Sequence, residues 1–110
     1  MSDLSDRRCE PCEGSLPPLT AQQIKPLRAQ LDPQWEVVDN HHLVRAFKFP
    51  DFVAALEFTN RVGRLAEQQQ HHPDIHLSYG KATVEIWTHK IGGLSENDFI
   101  LAAKIDKLGA

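Results

Sequence analysis

The sequence predicts a two-layer α+β domain, an antiparallel sheet with helices packed on one face. Two pairs of short segments rich in β-branched and aromatic residues are each joined by turn residues, which gives two β-hairpins. Between them lies a long stretch with an apolar period near 3.6 residues. The resulting order, helix, hairpin, helix, hairpin, helix, is that of a sheet covered on one face. A chain of 110 residues has room for one such core and not for two domains.

Residues 1–19 are rich in Ser, Pro, Asp, Glu and Arg without an apolar period, and read as a flexible arm, leaving 20–110 as the folded domain. From Thr20, an N-cap candidate, Ile24, Leu27, Arg28 and Leu31 fall at helical spacing until Asp32-Pro33, although Pro26 sits inside the pattern. Trp35-Glu36-Val37-Val38 and Leu43 to Phe49, separated by Asp39-Asn40-His41, form the first hairpin. Asp51 caps the long helix, whose Phe52, Ala55, Leu56, Thr59, Val62, Gly63 and Ala66 run on to about His71, with Pro73 as the stop. Ile75, Leu77 and Tyr79, a turn at Gly80-Lys81, then Ala82, Val84 and Ile86 make the second hairpin. After Gly92-Gly93, Ser95 and Asp98 resemble a capping box, opening a last helix on Phe99, Ile100, Ala103 and Leu108. One sheet face and an edge are left to be managed, by charge or by a second subunit.

Composition removes several function classes. The net charge is −3, without the basic excess that tracks a phosphate backbone, so nucleic acid is not expected as a partner. No apolar run approaches a membrane span and the N-terminus has no secretory core, so the expected compartment is the cytoplasm. Cys9 and Cys12 form a Cys-x-x-Cys pair without a strand-to-helix junction or further ligands nearby, and read as incidental thiols on the arm.

The side chains able to do chemistry are histidines, six in all. His41 and His42 lie at the first turn and read as solvated; His76 alternates with core positions and reads as a sheet-surface residue. His71 and His72 stand where the long helix ends. As neighbours there they cannot point the same way, so one can address a reacting atom while the other fixes a substrate. A histidine at a helix C-terminus also interacts favourably with the helix dipole and needs no other role. Glu67 precedes His71 by four residues and shares its face if the helix extends that far. His89 follows the last strand, a position that is a surface residue more often than a catalytic one.

Glu67-Gln68-Gln69-Gln70-His71-His72-Pro73-Asp74, then Tyr79, Thr88-His89 and Gly93-Leu94-Ser95-Glu96-Asn97-Asp98 with Leu101-Ala102, resembles the signature of the pterin-4a-carbinolamine dehydratases. The similarity runs from about Thr20 to the C-terminus and takes in Trp35. It implies a four-stranded antiparallel sheet backed by helices, with catalytic His71, His72 and His89. It further implies Glu67, Pro73 and Thr88 around a pterin substrate. Gln70 departs from members with an acidic residue before the histidine pair. The resemblance also implies dimers or tetramers and a functional link to an aromatic amino-acid hydroxylase. As the alternative to catalysis, it implies a non-enzymatic dimerisation or assembly role.

The implied reaction suits imidazoles. The hydroxyl on C4a of a 4a-hydroxytetrahydropterin leaves as water while the N5 proton departs, giving the quinonoid dihydropterin. One proton is donated and one removed, and imidazole does both near neutrality. The aminopyrimidinone edge of the pterin presents N–H donors suited to a carboxylate, for which Glu67 is the candidate. No metal or organic cofactor is expected. A zinc site on His71, His72 and His89 is disfavoured because adjacent histidines at a helix end converge poorly on one ion.

Overall fold

The computed structural model describes residues 4–7, 9 and 17–108. In chain order these form α1 (Ala21–Arg28), β1 (Glu36–Val38), β2 (His42–Lys48), α2 (Phe52–Gln69), β3 (Asp74–Ser78), β4 (Lys81–Ile86) and α3 (Glu96–Leu108), with 3-10 turns at Leu4–Asp6 and His89–Ile91. The sheet is antiparallel throughout, in the order β1-β2-β4-β3. The α+β class and the element order expected from the sequence are those observed.

Local chemistry explains each turn. Asp39 and Asn40 both adopt positive φ, 53° and 55°, and His41 N–H donates to Val38 O at 2.8 Å. Because Val38 pairs with His42, the loop holds three residues, Asp39, Asn40 and His41, and positive φ at the first two favours Asn and Asp. His41 is therefore the residue that closes the turn against β2. In the second hairpin the strand stops at Ser78, so Tyr79 occupies the turn, 76% exposed, rather than continuing the buried alternation of Ile75 and Leu77. Gly80, at φ +68°, returns its carbonyl to Phe49 N–H at 2.8 Å, and a Cβ there would lie 3.0 Å from Phe49 O.

Leu43 and Phe47 of β2 and Ala82, Val84 and Ile86 of β4 alternate onto the helical side, where they pack with Trp35, Phe58, Val62 and Phe99. The other sheet face carries Val44, Glu85, Trp87 and His76. α1 starts at a complete capping box, Thr20 with Gln23. α3 is buried almost all round, from Asn97 to Ala103 and at Ile105, because α1, α2 and the Leu4–Asp6 turn all contact it. Within the segment read as an arm, Leu4 is 3% exposed in the core, Arg7 pairs with Glu96 at 2.7 Å, and Lys104 Nζ donates to Ser5 O at 2.9 Å. A single leucine makes this contact, so no apolar period announces it. Cys9 N–H donates to Gln69 Oε1 at 3.0 Å; Cys12 lies outside the described residues.

One polar cluster ties α3 to the first hairpin. Asp106 Oδ1 accepts from Trp35 Nε1 at 2.7 Å and from Arg45 Nη1 at 2.6 Å, and the Arg45 guanidinium sits 4.2 Å from the Phe47 ring centre. Removing Asp106 leaves the Arg45 guanidinium, in a largely dry site, with the more distant Asp32 carboxylate at 3.7 Å and takes the acceptor from the Trp35 indole. Asp106→Ala should therefore destabilise the fold by about 2–4 kcal/mol. A thermal melt reads this as a fall in Tm of roughly 10 °C or more; an unchanged Tm contradicts the account.

Candidate active site

The site begins with how α2 stops. Gln70 takes the left-handed conformation, φ 54° and ψ 37°, and His71 N–H reaches back to Ala66 O at 3.2 Å while Gln70 N–H faces Glu67 O at 3.4 Å. This is a Schellman C-cap built on glutamine instead of the usual glycine. The helix thus ends at Gln69, two residues before the His71 expected from the sequence, and Pro73 is not its terminator. The carboxylate of Glu67 and His71 do not pair across one helical face. Past the reversal, His71 turns inward and His72 outward.

His71, its side chain 11% exposed, places Nε2 at 2.6 Å from Asp98 Oδ1. Asp98 is fully buried, and its second oxygen accepts from Thr88 Oγ1 and from Ser95 N–H, both at 2.8 Å. The Thr88 hydroxyl in turn accepts from Ser95 Oγ at 2.8 Å. Because a carboxylate only accepts, His71 must present Nε2–H to it, which leaves Nδ1 to address anything outside. Sequence reasoning read Asp98 as a helix cap alone. It is a cap, through Ser95 N–H, but its other oxygen orients His71. The Ser-x-x-Asp spacing pointed to the first role and contained no sign of the second, since the partner is 27 residues away.

Of the remaining candidates, Thr88 is hydrogen-bonded to this anchor, His72 adjoins His71 in the chain and His89 follows Thr88. His72 Nε2 lies 2.5 Å from Glu67 Oε2, both side chains more than half exposed. Pro73 is half-buried between His72 and β3. Thr88 is 3% exposed with its hydroxyl on Asp98, so it supports His71 rather than presenting that hydroxyl to solvent. His89 is exposed at the start of its 3-10 turn, its ring 4.0 Å from that of Trp87. Thr88 joins the two sides, bonded to Asp98 by its side chain and adjacent to His89 in the chain. His41 and His42 are not the solvated residues expected: both are half-buried, with His41 4.4 Å from the Trp87 ring. His76 is on the sheet surface, its Nε2 3.0 Å from Glu85. Among the described residues no three His, Cys, Asp or Glu side chains are grouped to hold a metal ion. An open depression of about 580 Å³ between α1 and β1, lined by Ile24, Arg28, Trp35 and Val37 among others, includes no histidine and stands apart from this cluster.

The fold is that of an α+β domain in which two adjacent histidines, His71 and His72, are each paired with a carboxylate. Residues 17–108 match the family model for pterin 4 alpha carbinolamine dehydratase, and the chain belongs to that family. A protein of Rubrobacter xylanophilus, provisionally named a pterin-4-alpha-carbinolamine dehydratase, is 54% identical over 108 residues, covering 98% of this chain and all of the relative. One from Rickettsia canadensis with the same provisional name is 53% identical over 106 residues, covering 96% of this chain and 97% of its own. Among solved structures, a transcriptional coactivator/pterin dehydratase from Brucella melitensis superposes with a TM-score of 0.77 at 31% identity, over 84% of this chain and 98% of that one. A pterin dehydratase-like RuBisCO assembly factor of the alpha-carboxysome, at 19% identity and a TM-score of 0.60 over 70% of this chain and 90% of that one, shares the fold.

The geometry at Asp98 makes a spectroscopic prediction. Nitrogen-15 spectra of the neutral imidazoles should show His71 as the Nε2–H tautomer, and Asp98→Asn should weaken that preference. A dominant Nδ1–H tautomer in the parent contradicts the assignment.

Proposed function

We propose that this chain is a hydro-lyase that converts a 4a-hydroxytetrahydropterin, 4a-hydroxytetrahydrobiopterin in a hydroxylase cycle, to the quinonoid dihydropterin and water. The observation that carries this reading is the His71–Asp98 pair beside the His72–Glu67 pair, in a chain of this family. His71, held by its Nε2–H, offers Nδ1 as one proton-transfer group, and His89 supplies the other. As the C4a–O bond breaks, one imidazolium protonates the departing hydroxyl. The second imidazole takes the N5 proton, and the C4a=N5 double bond forms. His72 and Glu67 act as a pair on the polar edge of the pterin, and Pro73 shapes its seat. Thr88 acts through Asp98. The chemistry asks nothing of a metal or organic cofactor.

The same reading places the protein in the cytoplasm as a homo-oligomer, serving an aromatic amino-acid hydroxylase by returning its cofactor to the reducible form. Among the described residues no helix is long and apolar enough to cross a membrane. The test is a dehydratase assay on hydroxylase-generated carbinolamine, with the spontaneous loss of water subtracted. Replacing His71 or His89 by Ala should remove most of an acid-base contribution of about 10²- to 10⁴-fold. His72→Ala should act chiefly on KM. A folded His89→Ala variant with parental kcat/KM would overturn the mechanism; a parent without activity would favour the assembly role instead.

A further inference from the structure

Resting on the functional reading above, a second question is what holds His89 in place. His71 has a buried carboxylate behind it, but His89 is exposed at the first residue of a 3-10 turn, and its ring contact is an aromatic one. The indole of Trp87 lies 4.0 Å from it, ring centre to ring centre, with the planes 43° apart. Trp87 projects from the open face of the sheet, where β4 places its odd-numbered side chains, and is half-buried there.

Trp87 is itself backed. The His41 ring stands 4.4 Å from it at 42°. His41 Nδ1 is 3.1 Å from His42 Nδ1, and His42 Nε2 lies 3.6 Å from Glu85 Oε1. One of the two facing Nδ1 atoms carries the proton between them, so the His41 and His42 rings fix each other's orientation whichever is the donor. A continuous series of contacts therefore runs from Glu85, on a central strand, through His42, His41 and Trp87 to His89.

We propose that His41 and Trp87 are positioning residues for His89. Trp87 supplies the surface on which the imidazole lies, and His41, its orientation set by His42, keeps the indole from swinging away. An aromatic pair of this kind raises the population of the stacked arrangement about 2- to 10-fold. Reacting atoms misplaced by about 1 Å can cost on the order of 10²-fold in rate. The two histidines at the first turn thus act on the reaction without touching the pterin, through the orientation of a group that does.

The experiment compares His41→Ala, His41→Phe, Trp87→Ala and Trp87→Phe in the dehydratase assay, and follows the His89 Cε1–H resonance by proton NMR in the same variants. His41→Ala should lower kcat about 3- to 10-fold with KM unchanged. His41→Phe, which keeps a ring against the indole, should restore it. Trp87→Ala should cost more than His41→Ala, and Trp87→Phe less. In the parent the indole ring current should displace the His89 resonance. The displacement should vanish in Trp87→Ala, shrink in His41→Ala and return in His41→Phe. Parental kcat in His41→Ala, no rescue by His41→Phe, or a His89 resonance indifferent to Trp87 would each overturn the proposal. Should Trp87→Ala not fold, Trp87→Phe and the two His41 variants decide the matter. A parent without dehydratase activity would sink the functional reading alone, and the ring-current displacements would then decide whether the stack holds His89.

Discussion

The buried carboxylate of Asp98 is the constraint around which the site is arranged. Placing an ionised side chain at zero exposure costs several kcal/mol unless its oxygens are fully engaged. Here three donors engage them, from three parts of the chain: His71 beyond α2, Thr88 beyond β4 and Ser95 ahead of α3. The bonds are charge-assisted and short, each worth roughly 1.5–3 kcal/mol. The same contacts that offset the burial of Asp98 therefore fix the relative positions of α2, β4 and α3. A change at any of the three donors is felt at the other two.

That arrangement gathers the candidate histidines where α2, β4 and α3 meet. The reversal at Gln70 sends consecutive histidines to different carboxylates, His71 to one inside the fold and His72 to one on its surface. The Thr88–Gly93 bridge brings the loop bearing His89 back against the start of α3. Space there is tight, since a Cβ on Gly93 would come within 2.7 Å of Pro18. The sheet surface then contributes a different kind of support, aromatic and only partly dry, at Trp87 and His41. His71 and His89 are thus contacted by unlike groups, one a buried carboxylate and the other an indole ring.

Periodicity and turn chemistry made most of the fold legible. Alternation over Ala82, Val84 and Ile86, the Asp39-Asn40 turn and the Asp51 cap each state a local preference that the tertiary structure keeps. What escaped was non-local or atypical. A glutamine in the left-handed C-cap gives no glycine to read, so α2 was expected to run two residues too far and Glu67 was matched with His71 instead of His72. Asp98 was visible as a cap because its partner Ser95 is three residues away, and invisible as the support of His71 because that contact is between residues 27 apart. His41 and His42 looked like turn residues by sequence distance. The pairing of β2 with β4 is what carries them to Trp87. The histidines of the site themselves stood out only through the family resemblance, because no spacing rule distinguishes His71, His72 and His89 from the others.

The central claim is that Asp98 acts on the reaction through His71. A double-mutant cycle on kcat, built from Asp98→Asn, His71→Ala and the two together, measures that dependence directly, with thermal melts confirming that each variant is folded. If the claim holds, Asp98→Asn lowers kcat in the parent and has no further effect once His71 is gone, so the double variant matches His71→Ala. Independent, multiplicative losses from the two substitutions would contradict it.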